Sequence, residues 1–110
     1  MEYRDRIATT VEKEISKDSA YIKYVLHSDT GEGELYVDGE KLRLPAYSFT
    51  EMSDIVRSEF EKGNPVRKIV PVGFRGERLV SDQKELEILA TGSTGLIEYR
   101  VSDRNQLTDC

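Results

Sequence analysis

The chain has 110 residues, 37% hydrophobic and 34% charged, with 21 acidic against 16 basic side chains and a net charge of −5. That length suits one domain with one modest core, and the acidic balance disfavours general affinity for nucleic acid or an anionic membrane surface. No stretch reaches the roughly 18 apolar residues of a membrane span, and the charged start Glu2, Arg4, Asp5, Arg6 lacks the apolar centre of a secretory signal.

From Tyr3 to Lys17, Ile7, Val11 and Ile15 recur every fourth residue with Ala8 beside them, which predicts an amphipathic helix with a narrow apolar stripe. Asp18-Ser19 ends it. Ala20 to His27 then reads as a strand with Ile22, Tyr24 and Leu26 on one face and Tyr21 and Val25 on the other, a two-sided pattern expected of a central strand. Ser28 to Gly33 is a polar loop. Glu34 to Leu44 is a hairpin turning at Asp38-Gly39, because that dipeptide suits a two-residue turn with positive φ at both central positions. Counting outward pairs Val37 with Glu40, Tyr36 with Lys41, Leu35 with Leu42 and Glu34 with Arg43. One face is then Leu35, Val37, Leu42 and Leu44, and the other is ionic.

After Pro45, Ser48 and Glu51 have the spacing of a capping box, and Tyr47 and Met52 that of a hydrophobic staple. Met52, Ile55, Val56 and Phe60 form the buried stripe of this second helix, and Gly63-Asn64-Pro65 predicts a left-handed cap at its end. Val66 to Val72 is β-branched, and Pro71 within it points to an edge, a bulge or a strand end. Glu77 to Val80 and Lys84 to Leu89 read as a second hairpin around Ser81-Asp82-Gln83, with a short helix from Asp82 to Ala90 as the competing assignment. Gly92 to Gly95 is a loop, and Ile97, Tyr99 and Val101 alternate in a terminal strand. The prediction is an α+β fold: an antiparallel sheet of about six strands with two helices packed on one face, in the order α-β-β-β-α-β-β-β-β. Residues 1–102 form the domain and 103–110 a flexible tail.

The hairpin ending in Leu44-Pro45 before a helix, from Leu35 to Phe60, resembles the opening of a ubiquitin-like or sulfur-carrier β-grasp domain over less than a quarter of the chain. Such carriers need a Gly-Gly terminus, whereas this chain ends Thr108-Asp109-Cys110, so no activity is carried across. The lone cysteine, Cys110, can pair only between chains, in keeping with a reducing, cytoplasmic location. Abundant charge beside few Asn and Gln is a bias of proteins from hot environments.

Three sets of residues carry candidate chemistry. Arg67, Lys68, Arg75 and Arg78 oppose the single Glu77 in one segment, and Phe74 beside them offers a ring for stacking, a combination suited to an anion or nucleic acid. His27, Asp29, Glu32 and Glu34 are donors suited to a divalent cation, although their spacing is not that of an EF-hand. The stripe Ile7, Val11, Ile15 is a candidate interface, with an aromatic sheet face as the alternative. With one His, a terminal Cys and no serine in an elbow motif, no nucleophile, base and orienter stand out, and no cofactor is implied. The expectation is a noncatalytic protein-interaction module that binds a protein partner or forms a homodimer, with anion and cation binding as alternatives.

Overall fold

The computed structural model describes residues 2–91 and 95–104. Two helices, α1 (Glu2–Ile15) and α2 (Phe49–Gly63), accompany seven strands: β1 (Ser19–His27), β2 (Glu32–Val37), β3 (Glu40–Pro45), β4 (Lys68–Pro71), β5 (Gly76–Val80), β6 (Lys84–Thr91) and β7 (Leu96–Asp103). The element order is the expected one, and all seven of its strands join the sheet, against the about six expected there. All neighbours are antiparallel, and the sheet runs β3-β2-β1-β7-β6-β5-β4. The doubtful segment from Asp82 to Ala90 is mostly strand, because β6 finds partners on both sides, β5 and β7.

The β2–β3 hairpin has the register read from the sequence, and its turn places Asp38 at φ 45° and Gly39 at φ 86°. That leaves Leu35, Val37, Leu42 and Leu44 buried on one side. Both α1 and α2 cover this same side, where they pack on each other and on the inward residues of β1, β6 and β7. Pro71 sits at the end of β4, an edge strand, where a missing amide costs no ladder bond.

The capping box of α2 is formed in both directions, with Ser48 Oγ accepting from the Glu51 amide at 3.1 Å and Glu51 Oε1 accepting from the Ser48 amide at 2.9 Å. Its other end differs from expectation. Asn64, at φ −140°, is not left-handed. Its backbone and side-chain N–H groups both donate to the Phe60 carbonyl, at 3.0 and 3.1 Å, and so satisfy an end carbonyl without a glycine turn. Lys84 performs the equivalent service for α1. Its ammonium donates to the carbonyls of Ile15 and Lys17, fastening the end of that helix to β6.

The proposed interface Ile7, Val11, Ile15 must be corrected. These side chains are 1%, 0% and 5% exposed, because α2 and the sheet already cover the stripe. A narrow stripe is what a helix needs when it fills the angle between another helix and a sheet. The expected tail also shortens, since β7 continues through Asp103. Gly92 to Thr94 and residues 105–110, Cys110 included, lie outside the described residues.

Ile7→Ala should cost about 2–5 kcal/mol, the usual range for deleting a buried isoleucine side chain, while leaving the association state unchanged. Urea denaturation and light scattering of the folded variant test the two halves of that statement.

Candidate functional site

With both helices on one face, no described element covers the other face of the sheet. Cross-strand register lines up Lys41, Tyr36, Lys23, Glu98 and Leu89 in one row, and Tyr21, Arg100, Glu87, Arg78 and Val70 in another. Opposite charges therefore meet near the middle of the face. The ammonium groups of Lys23 and Lys41 lie 5.3 and 5.5 Å from the centroid of the Tyr36 ring, and the Tyr21 hydroxyl donates to Glu98 at 2.7 Å. The Glu98 acceptor holds the Tyr21 proton, raising the hydroxyl above its ordinary pKa.

The five residues predicted as an anion site divide between the two ends of the β4–β5 hairpin. Arg67, Lys68 and Arg78 converge in a cleft of about 400 Å³, joined by Arg104 and by one carboxylate, Glu85. Arg67 is tied to Asp82 at 2.6 Å, but both groups are exposed and such a pair holds weakly. Among the described residues no ion pair includes Lys68 or Arg78. The Nε of Arg78 is buried without a hydrogen-bond partner. Sequence reasoning missed Arg104 by assigning it to a tail. Its amide donates to the Gln83 carbonyl at 2.7 Å and its guanidinium to the Ser81 carbonyl at 3.1 Å, which bring it beside the hairpin.

Phe74 and Arg75 occupy the loop at the other end of the hairpin. Gly73, at φ 66°, supplies the turn there, and Phe74 stands 96% exposed. Hollows flank it on both sides. One, of about 420 Å³, faces α2 and is lined by Phe49, Ser53, Arg57, Ile88 and Ile97. The other, of about 580 Å³, faces the open side and is lined by Val72, Leu89, Ala90 and Thr91. The Ala90 amide donates to the Arg75 carbonyl at 3.1 Å and the Val72 amide to the Gly76 carbonyl at 2.9 Å, so the loop base is anchored while its ring is not covered.

The predicted cation ligands do not assemble. His27 Nε2 lies 3.6 Å from Glu34 Oε1, while Asp29 and Glu32 are exposed on their own. Glu34 is otherwise engaged, accepting from the Tyr36 hydroxyl at 2.6 Å and pairing with Lys41 at 3.5 Å. Among the described residues no group of three or more His, Cys, Asp and Glu side chains could hold a metal ion. The loop from Ser28 to Gly31 is instead folded onto the His27 carbonyl, which accepts from the amides of Thr30 and Gly31.

Two carboxyls at this side of the sheet sit below their ordinary pKa. The Tyr36 hydroxyl, with Lys41 behind it, stabilises the Glu34 carboxylate, and the Lys17 ammonium does the same for Asp38. Because the folded state binds these protons less readily than the unfolded chain, their contribution is complete above the ordinary carboxyl pKa. It is lost as pH falls through the folded values. Glu34→Gln should therefore flatten the acid limb of stability between about pH 5 and pH 3. Urea midpoints across that range check this, and an unchanged slope would remove Glu34 from the account.

Comparison with protein-family models, with curated proteins and with solved structures finds no match to this chain.

Proposed function

We propose that this chain is a small noncatalytic protein-interaction module that anchors its partner through Phe74 and Arg75. The observation that carries the reading is the 96% exposure of Phe74 on an anchored loop. A phenylalanine is among the more frequently buried residues, and this one contributes almost nothing to the core of its own chain. Aromatic and arginine side chains dominate binding energy at protein interfaces because a partner's pocket can desolvate them completely. The neighbouring Val72, Leu89 and Ala90 continue the apolar surface, and the charged side chains further along the open face supply a polar rim. A cytoplasmic setting accords with the absence of paired cysteines.

Exposure makes the test a clean one. Phe74→Ala should shift stability by no more than about 0.5 kcal/mol, as surface changes do, while abolishing co-purification of the partner from native lysate. Sedimentation of the isolated chain shows whether a second copy is that partner. Undiminished capture by both Phe74→Ala and Arg75→Ala would sink the reading.

A second reading places an anion in the cleft of Lys68 and Arg78, and the lack of an ion pair to either cation among the described residues favours it. A phosphate or carboxylate would supply the missing counter-charge. With single-stranded oligothymidylate as probe, the plot of log affinity against log salt should lose about one unit of slope for each of Lys68→Gln and Arg78→Gln. Affinity that falls without any change of slope would count against the cleft.

A further inference from the structure

We infer that the outer edge of β3 accepts an extended acidic segment of a partner protein as an additional strand. Among the described residues β3 is last in the sheet and has β2 as its one neighbour. In a two-residue hairpin the pair flanking the turn, here Val37 and Glu40, exchanges both backbone hydrogen bonds, and bonding alternates from there. Glu40, Leu42 and Leu44 thus turn their backbone groups toward β2. Lys41 and Arg43 turn theirs outward, each with one donor and one acceptor, and Pro45 adds a carbonyl. The Ala46 amide closes the strand by donating to the Gly31 carbonyl at 3.2 Å. The opposite edge, β4, has four residues and ends in Pro71, so it offers a shorter template.

The side chains say what can lie there. Lys41 and Arg43 share the open face, and Arg43 is in no ion pair among the described residues, because its cross-strand neighbour Glu34 is taken by Tyr36, Lys41 and His27. Lys23, which also has no ion pair among the described residues, stands beyond Tyr36, and an open groove of about 900 Å³ connects it with Lys41, with Glu14, Asp38 and Glu40 along its other parts. A second copy of β3 would set Lys41 and Arg43 against each other across the new ladder, and like charges directly opposite are destabilising. The basic edge therefore resists self-pairing. An incoming strand with carboxylates on its open-face positions and apolar residues alternating with them, beside Leu42 and Leu44, meets no such penalty. Main-chain bonds would supply affinity and the carboxylates selectivity. This site is independent of the Phe74 anchor.

The probe is a capped seven-residue peptide alternating Val and Glu, labelled with fluorescein, added to the full chain and compared with its Val and Lys counterpart. Fluorescence anisotropy should show binding of the Glu peptide alone, and hydrogen exchange should show new protection at the amides of Lys41 and Arg43. Arg43→Thr and Arg43→Pro both remove the charge, but only the proline removes the outward N–H, which edge positions tolerate. The proline variant should bind about tenfold more weakly than the threonine variant, the scale of one hydrogen bond. Absence of binding, equal binding of the Lys peptide, equal affinities of the two variants, or protection confined to other strands would overturn the inference. Should the proline variant fail to fold by circular dichroism, amide protection in the unaltered chain decides alone. Partner capture that depends on Phe74 would survive any of these failures, which separates this site from the first.

Discussion

The pairing of β1 with β7 is the contact on which the rest of this molecule depends. Without it the chain would be a three-stranded meander near one end and a four-stranded meander near the other, each with half a core. Seven residue pairs, from Ser19 opposite Ser102 to Val25 opposite Leu96, fuse them into one sheet. Ile22 and Tyr24 on one strand and Ile97, Tyr99 and Val101 on the other are then buried together beneath the helices. The two strands are separated by most of the sequence, so the chain bears a large loop-closure cost before this contact repays it. A further consequence concerns binding. Because the first and last strands meet at the centre, the sheet's edges fall to β3 and β4, and the Phe74 loop, the Lys68–Arg78 cleft and the outward amides of β3 all lie at those edges or their loops.

Polar groups within the apolar layer are arranged to hold this seam. The Tyr24 hydroxyl both accepts from the Tyr47 amide and donates to the Tyr47 carbonyl, at 2.8 Å each, and so fixes the segment that leads into α2. The ring reaches that position by passing over Gly33, where a Cβ would lie 2.5 Å from the tyrosine oxygen. Glycine in β2 thus follows from an aromatic hydroxyl in β1. Tyr99 is its counterpart on β7, 3.4 Å from the Ser53 hydroxyl, and burial pushes its own hydroxyl pKa well up. Each buried phenol has a hydrogen-bond partner on the helical layer, as a group removed from water requires. The sheet and helices are therefore locked by direction as well as by packing.

Features determined locally were legible in the sequence. The Asp38-Gly39 turn and the Ser48–Glu51 box depend on residues within a few positions of one another, and both have the expected geometry. The apolar pattern of β2–β3 also carried its register and buried face. Where a distant partner decides, sequence was ambiguous: Leu86, Ile88, Leu89 and Ala90 suit a strand or a helix, and pairing with β5 and β7 settles the matter. The stripe on α1 was correctly seen as apolar, but periodicity says nothing of whether its cover comes from the same chain. Proximity in sequence misled most at the basic segment, since a hairpin sends Arg67 and Arg75 to opposite ends while β7 brings Arg104 in from far away. Phe74 was read as a ring available for stacking, but that it stands apart from Arg67 and Lys68 depends on the β4–β5 pairing.

Charge is distributed over this sheet in a way that bears on how copies of the chain treat one another. Near the centre of the open face, cations and carboxylates alternate, with Lys23 opposite Glu98 and Arg100 opposite Glu87. At the two strands that lack an outer neighbour the balance is basic, with Lys41 and Arg43 on β3 and Lys68 on β4 beside Arg78. A chain with an excess of acidic residues has thus placed cations along the edges of its sheet, and among the described residues Arg43 and Lys68 are in no ion pair. A sheet with two free edges can propagate by joining β3 of one copy to β4 of the next, a head-to-tail contact that does not close and so builds filaments. Like charge on both edges opposes that joint as well as the symmetric β3–β3 and β4–β4 pairings. The same arrangement leaves the edges attractive to carboxylates, so resistance to self-assembly and preference for an acidic partner arise from one placement of charge.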